Sequence, residues 1–121
     1  MIMALLIVLT LLNVVVATGF SLAGIFFPGF IVRDGEASHT AKVFALYGVA
    51  RSVPLLLVVL WAAFRADATA LIWLGLLAGI IQLADAAVGT TTGDRVKVFG
   101  PLGLGVVQLV VVLLAFWFQG L

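Results

Sequence analysis

The sequence predicts an all-α fold, an antiparallel bundle of four transmembrane helices, and three observations lead to that prediction. Hydrophobic residues make up 65% of the 121 residues and charged residues only 9%, whereas soluble domains carry about 25% charged residues. Four apolar segments are each long enough to cross the hydrocarbon core of a bilayer, which takes about 20 residues. Because the connections between them are short, consecutive helices must run antiparallel. We therefore expect a single transmembrane domain over residues 1–121.

Turn signals between the apolar segments set the predicted ends of each helix. The expected helices cover about residues 2–27, 41–64, 70–88 and 98–120. Pro28 and Gly29 end the first helix, since proline and glycine interrupt helical periodicity. Residues 65–68 form a tight turn and residues 89–94 a flexible one. Gly100-Pro101 opens the last helix, because proline is tolerated in a first helical turn.

The distribution of lysine and arginine predicts the orientation of the bundle. Connections 28–41 and 89–97 lie on one side, whereas the amino terminus and Arg65 lie on the other. Counting the edge of the second helix, the first side holds four basic residues: Arg33, Lys42, Arg95 and Lys97. Connections rich in lysine and arginine stay in the cytoplasm. We therefore expect these two connections in the cytoplasm and both termini outside, with topology and headgroup contact as sufficient roles for the four residues.

A short internal sequence repeat predicts two tandem helix-pair repeats. Residues 42–44 read Lys-Val-Phe, and so do residues 97–99, with Gly48 matched by Gly103 at the same offset. Two helices per unit make this a parallel repeat, which agrees with both basic connections facing the same way. Chance resemblance between two apolar helices is the alternative.

Composition argues against several classes of function. A net charge of +1 offers no clustered basic face for nucleic acid. The chain has no cysteine, so thiol chemistry and thiolate metal sites are excluded. A single histidine, His39, argues against a haem held by paired histidines and is expected to be a solvated loop residue. We expect no cofactor, no metal site and no nucleic-acid partner.

Polar residues inside the predicted helices carry most of the functional information, since such residues are rare, costly and usually face the interior of the bundle. Residues three or four apart share a helix face, so the second and third helices each present one polar stripe. The six polar residues are Asn13 in the first helix, Tyr47 and Arg51 in the second, Gln82 and Asp85 in the third, and Gln108 in the fourth.

Arg51 and Asp85 are expected to converge into an ion pair. Their helices are antiparallel, and side chains lean toward the amino terminus of their own helix, so Arg51 leans toward the cytoplasm and Asp85 toward the midplane. Pro54 cannot donate a backbone hydrogen bond to the carbonyl of Ala50 and is expected to kink the helix beside Arg51. A small polar cavity, open toward the cytoplasmic half, is the predicted result.

Two interpretations of these residues stay open. In the first, Arg51 and Asp85 are a buried pair that fixes helix register, and Asn13, Gln82 and Gln108 are hydrogen-bonded contacts between helices. In the second, Asp85, Arg51 and Tyr47 are catalytic residues, and Asn13, Gln82 and Gln108 bind a ligand.

Small residues and tryptophans predict packing faces and the limits of the membrane. Closely spaced glycines allow helix backbones to approach, and tryptophans gather at membrane interfaces. The glycines expected to form helix contacts are Gly19, Gly24, Gly75 and Gly79, and the tryptophans expected near the outer interface are Trp61, Trp73 and Trp117.

Residues 46–51, Leu-Tyr-Gly-Val-Ala-Arg, together with residues 83–86, Leu-Ala-Asp-Ala, and the Gly-rich loop that follows, resemble the DoxX-like group of small four-helix membrane proteins. The similarity spans about residues 26–116. It implies a four-helix bundle in a bacterial inner (cytoplasmic) membrane, with Arg51 and Asp85 as the group's recurrent polar positions, and it implies no particular reaction. Small multidrug resistance exporters use a glutamate in the first helix, where this chain has Asn13. Sterol-isomerase-like proteins use acidic and histidine residues in an intramembrane pocket, where this chain has only Asp85 and no predicted helix histidine.

Three functions follow as hypotheses. The first is a membrane protein that binds a lipophilic small molecule, such as an isoprenoid, sterol or polyketide, in a polar pocket. Acid–base catalysis by Asp85, of isomerase, cyclase or epoxide-opening type, would extend this hypothesis. The second is a transporter or channel acting as a homodimer, because four short helices rarely enclose a full pathway. The third is an accessory subunit that scaffolds a larger membrane complex.

Overall fold

The structure, a computed structural model, describes residues 1–32 and 38–120. Its helices are α1 (Ile2–Phe26), α2 (Pro28–Ile31), α3 (His39–Phe64), α4 (Ala68–Gly89) and α5 (Val96–Gln119), with a 3₁₀ turn over Thr90–Thr92 after α4. The prediction of an all-α four-helix bundle is confirmed. The four long helices are long and apolar enough to cross a membrane, and they support an integral membrane protein. Arg33 and residues 34–37 lie outside the described residues.

Polar capping residues explain why α3 and α4 each begin two residues before the predicted positions, 41 and 70. The Ser38 hydroxyl accepts a hydrogen bond from the amide of Ala41 at 3.1 Å. A carboxylate oxygen of Asp67 accepts one from the amide of Ala70 at 3.0 Å. Such side chains satisfy the amides that a first helical turn leaves without partners. Helices therefore start at their caps, ahead of the apolar run on which the prediction relied.

Pro101 lies inside α5, so the prediction that it sits in the first turn of that helix is wrong. The helix begins at Val96, whose amide donates to the side chain of Asp94 at 3.0 Å. Proline has no amide hydrogen, so Pro101 leaves the carbonyl of Lys97, four residues earlier, without its helical donor. A Cβ atom added to Gly89 would collide with that same carbonyl. The end of α4 and the start of α5 therefore approach each other at backbone distance.

Helix α1 lies at the centre of the bundle and contacts α3, α4 and α5. The two most extensive interfaces join α1 to α3 and α4 to α5, the two helix pairs in which the sequence shows its short repeat. Contact between α3 and α4 is sparse. As a result, the bundle consists of two tight helix pairs joined mainly through α1.

One half of the bundle, here called the packed half, is filled with apolar side chains. It lies at the end where α3 leads into α4, and its core is Leu6, Ala62, Leu71, Ile72, Val111, Val112 and Ala115, none more than 4% exposed. The side chains of Trp61, Trp73 and Trp117 at this end are all exposed to the surroundings. Exposed tryptophans at one level are typical of a membrane interface.

Glycines allow α4 to pack closely on α5. A Cβ atom on Gly75 would lie 2.8 Å from Nε2 of Gln108, and one on Gly79 would lie 2.8 Å from a methyl group of Leu109. The predicted helix contact at these two glycines is therefore present. Gly24 lies against Ala45, whereas a Cβ atom on Gly19 would meet nothing within 4 Å, so Gly19 is not a packing position in this bundle.

Candidate ligand cavity

The half of the bundle opposite the packed half contains a cavity of about 680 Å³, here called the main cavity. Helices α1, α3, α4 and α5 all contribute to its walls. Most lining residues are apolar, and the principal polar or charged ones are Ser21, Arg51, Ser52, Gln82, Asp85 and Lys97. The walls are therefore mostly apolar, with a few polar groups at defined positions, which is the usual composition of a small-molecule site.

The first half of α3 borders the main cavity and contributes no buried residue to the core. The buried residues of α3 are Ser52, Val59 and Ala62, and none precedes Ser52. Beyond Ser52, α3 closes onto the bundle, where Val59 packs with Val14 and Ala78. The main cavity consequently ends at mid-bundle and does not continue into the packed half.

A second cavity of about 590 Å³, the side cavity, adjoins the first. It lies between the end of α1, α2 and the start of α3, and Ser21, Gly48 and Val88 line both cavities. Its other walls include Phe44 and Val32 and are almost entirely apolar. The two cavities therefore share part of a wall, with the main cavity reaching mid-bundle and the side cavity lying near α2.

Arg51 and Asp85 line the main cavity from α3 and α4, but they do not form the expected ion pair. Within residues 1–32 and 38–120, the only ion pair joins Lys97 to Asp94, at 3.5 Å. Arg51 lies twelve residues from the start of α3 and Asp85 four residues from the end of α4, or about 18 Å and about 6 Å from the same end of the bundle. The leaning of the two side chains does not close this difference in depth, so their charged groups stay more than 4.0 Å apart.

Tyr47 does not join Arg51 and Asp85 in the main cavity. Its side chain is 57% exposed, and it is absent from both cavity walls. The face of α3 that lines the main cavity is centred on Gly48, Ser52 and Leu55, and at about 100° per residue Tyr47 points slightly more than about 100° away from that centre. The shared face inferred for Tyr47 and Arg51 is therefore the outer edge of the cavity-lining face, and only Arg51 contributes to the wall.

Asn13 and Gln108 belong to a buried group of hydrogen-bonded side chains, here called the amide network. Nδ2 of Asn13 donates to Oε1 of Gln108 at 2.7 Å, and Nε2 of Gln108 donates to the hydroxyl of Thr10 at 2.9 Å. Nε2 of Gln82 donates to the backbone carbonyl of Asn13 at 3.3 Å. Of the three residues predicted to bind a ligand, only Gln82 lines the main cavity. Asn13 and Gln108 connect α1 to α5, as the first interpretation of these residues expects.

Two serines that sequence reasoning missed lie on the wall between α1 and α3. The hydroxyls of Ser21 and Ser52 are 3.3 Å apart, and Ser52 donates to the carbonyl of Gly48 at 2.7 Å. A Cβ atom on Gly48 would lie 3.1 Å from the Ser21 hydroxyl. The sequence signal for this contact is the pair Gly48 and Ser52, two small residues four positions apart, a spacing typical of helix–helix contacts.

Lys97, interpreted from the sequence as a topology signal, also lines the main cavity. Its side chain is 14% exposed and pairs with Asp94, while Nζ lies 5.6 Å from the centre of the Phe30 ring. The Phe30 ring in turn packs against Phe20, with 5.7 Å between ring centres. Lys97 therefore joins the start of α5 to α2 and covers the end of the main cavity.

Comparison of the chain with protein-family models, with curated proteins and with solved structures finds no match. The resemblance to the DoxX-like group stays a prediction. Within the part of the chain that the structure describes, no three histidine, cysteine, aspartate or glutamate side chains lie together as metal ligands would.

Proposed function

We propose that this chain is an integral protein of a bacterial inner membrane that binds a lipophilic small molecule in the main cavity, with its basic connections in the cytoplasm. The observation that carries the proposal is the cavity itself. Its volume of about 680 Å³ falls in the range of ordinary ligand pockets, about 300–1,000 Å³. Its apolar walls suit an alkyl or isoprenoid body, and its few polar groups suit one polar end.

The shape of the bundle favours a binding pocket over a conduit within one copy of the chain. The main cavity reaches mid-bundle, and beyond it the packed half is closed by residues such as Leu6, Leu71 and Ala115, each fully buried. A solute entering from the α2 end would therefore stop at the level of Gln82. Transport by a dimer and scaffolding of a larger complex stay alternative hypotheses, and nothing in the geometry favours either.

The geometry that supports ligand binding gives no support to catalysis by Asp85, Arg51 and Tyr47 acting together. Asp85 and Arg51 reach the main cavity, whereas Tyr47 faces outward. An acid–base reaction at this site would rest on Asp85 with Arg51 alone, and it stays a hypothesis of the same site.

The test is whether filling the main cavity removes a bound molecule. Leu77 lines the main cavity, and Ile80 lies one turn away on the outer face of α4; their side chains are 46% and 53% exposed. We expect protein purified in detergent to retain about one lipophilic molecule per chain by native mass spectrometry and lipid extraction. Leu77→Trp should lose that molecule and Ile80→Trp should keep it. Equal retention by both variants would contradict the proposal.

A further inference from the structure

The most informative unexplained feature of the main cavity is a pair of opposite charges on facing helices. Arg51 and Asp85 line the same space from α3 and α4, and neither pairs with another charged side chain that the structure describes. Charged groups within a membrane normally pair with one another or face water, because their isolation in hydrocarbon is costly. A cation and an anion held apart across a cavity leave room for a ligand that satisfies both.

The charge balance of the main cavity favours a ligand with no net charge. The third charged residue on its wall, Lys97, is already neutralised by Asp94 at 3.5 Å. The two groups left for a ligand are one guanidinium and one carboxylate, which sum to zero. A purely anionic head group would satisfy Arg51 but be repelled by Asp85, and a purely cationic one would have the opposite problem.

The remaining walls require that the ligand also carries an apolar chain. Val16, Phe20, Leu55 and Ile81 line the same cavity as the two charges, and the adjoining side cavity adds apolar residues such as Phe44. A small water-soluble zwitterion would leave this surface uncovered, whereas an alkyl chain lying against these apolar walls would bury it, at about 25 cal/mol for each Å² removed from water.

We propose that the molecule bound in the main cavity is a zwitterionic amphiphile whose phosphate or carboxylate is held by Arg51 and whose primary ammonium group is held by Asp85. This inference rests on the proposed function and names the ligand class of the same site. A guanidinium binds phosphate or carboxylate through two parallel hydrogen bonds. The Asp85 carboxylate accepts hydrogen bonds from a primary ammonium, which a quaternary ammonium cannot donate. Phosphatidylethanolamine has this combination of groups, whereas phosphatidylcholine lacks the N–H donors and phosphatidylglycerol lacks the cation.

The experiment measures binding of defined lipids to the purified, delipidated chain by native mass spectrometry. The probes are palmitoyl-oleoyl phosphatidylethanolamine, phosphatidylcholine and phosphatidylglycerol, with free phosphoethanolamine as competitor. We expect phosphatidylethanolamine to bind most tightly. Arg51→Gln should weaken binding of phosphatidylethanolamine and phosphatidylglycerol by about tenfold or more, and Asp85→Asn should weaken only phosphatidylethanolamine by a similar factor, since each removes a charge-assisted hydrogen bond. Arg65→Gln, an arginine outside both cavities, is the matched control and should change nothing.

The ranking of lipids by the unmodified chain tests the inference even where a variant fails to fold. Equal binding of the three lipids, combined with loss of all three in Leu77→Trp, would overturn the zwitterion and leave the proposed function standing. Absence of any bound lipid would overturn both. Displacement of phosphatidylethanolamine by an equal concentration of free phosphoethanolamine would overturn the amphiphile and assign the site to a soluble zwitterion. An unchanged preference for phosphatidylethanolamine over phosphatidylglycerol in Asp85→Asn would contradict the role of Asp85.

Discussion

Replacing Gln108 by leucine should destabilise the bundle, because Gln108 makes two hydrogen bonds in the amide network. One joins it to Asn13 at 2.7 Å and the other to Thr10 at 2.9 Å, and its side chain is fully buried. Hydrogen bonds between transmembrane helices contribute about 0.6 kcal/mol on average and at most about 1.7 kcal/mol. We expect Gln108→Leu to lower the free energy of unfolding by about 1–3 kcal/mol, from two such bonds.

Asn13→Leu should cost less than Gln108→Leu for a reason visible in the network. Asn13 makes one side-chain hydrogen bond, and its Oδ1 atom is buried without a partner. Removing the side chain loses one hydrogen bond and removes the unsatisfied Oδ1, but it also leaves the buried Oε1 of Gln108 without its donor, and an unpaired buried acceptor is unfavourable. The number of unpaired buried acceptors therefore stays the same, and the loss of one hydrogen bond in place of two is expected to cost about 1 kcal/mol.

The double variant isolates the bond between Asn13 and Gln108. If the two side chains interact as described, the effects of Asn13→Leu and Gln108→Leu will not add, and their coupling energy will be about 0.6–1.7 kcal/mol. Unfolding in mixed micelles of dodecylmaltoside and dodecyl sulfate, followed by circular dichroism, measures each free energy. Gln119→Leu, an exposed glutamine at the end of the same helix, is the control and should change stability by less than about 0.5 kcal/mol. Additivity within about 0.3 kcal/mol would refute the network.

Three further predictions concern packing, capping and topology. Gly89→Ala should lower the free energy of unfolding by about 3 kcal/mol, because its Cβ would collide with a backbone carbonyl of α5. Gly103→Ala, whose Cβ would meet nothing within 4 Å, should leave the free energy of unfolding unchanged. Equal losses for the two variants in micelle unfolding would contradict the close approach of α4 and α5. Asp67→Ala should cost about 1 kcal/mol through loss of the α4 cap, and Asp67→Asn should restore most of it; an Asn variant as unstable as Ala would argue against capping. The chain has no cysteine, so a single cysteine introduced as Ala66→Cys or Thr91→Cys can be labelled selectively. An impermeant maleimide added to intact cells should label position 66, and it should label position 91 only after permeabilisation. The reverse labelling pattern would show that the topology is inverted.

Hydropathy and turn residues were sufficient to predict the four helices, because a membrane span depends on length and composition, which the sequence shows directly. The rotation of each helix about its own axis could not be predicted in the same way. In a soluble bundle the polar face marks the outside, but lipid is as apolar as a protein core, so the inward and outward faces of a membrane helix look alike. For this reason the sequence predicts that Tyr47 faces inward, whereas its side chain is exposed.

The polar residues illustrate the same limit within the site. Gln82 and Asp85 were correctly placed on one face of α4, since spacing alone decides that. Whether Asn13 and Gln108 face a ligand or each other depends on the distance between α1 and α5, which the sequence does not show. The position of α5 depends in turn on how closely α4 packs against it, which glycines such as Gly75 and Gly79 determine. From the sequence, Lys97 is expected only to set the membrane topology, because Pro101 is expected in the first turn of α5. The helix in fact begins at Val96, and the Lys97 side chain lies on the wall of the main cavity.

The unequal filling of the two halves of the bundle means that its local stability is unequal too. Elements with few buried contacts open at lower free-energy cost than the global unfolding of a protein, and α3 has no buried residue before Ser52. Pro54 leaves the carbonyl of Ala50 without its helical hydrogen bond, so α3 has one hydrogen bond fewer next to that boundary. The first half of α3 is therefore the part of the bundle expected to open at the lowest free-energy cost, while its contacts with α1 at Ala45 and Gly48 hold it in place in the folded state.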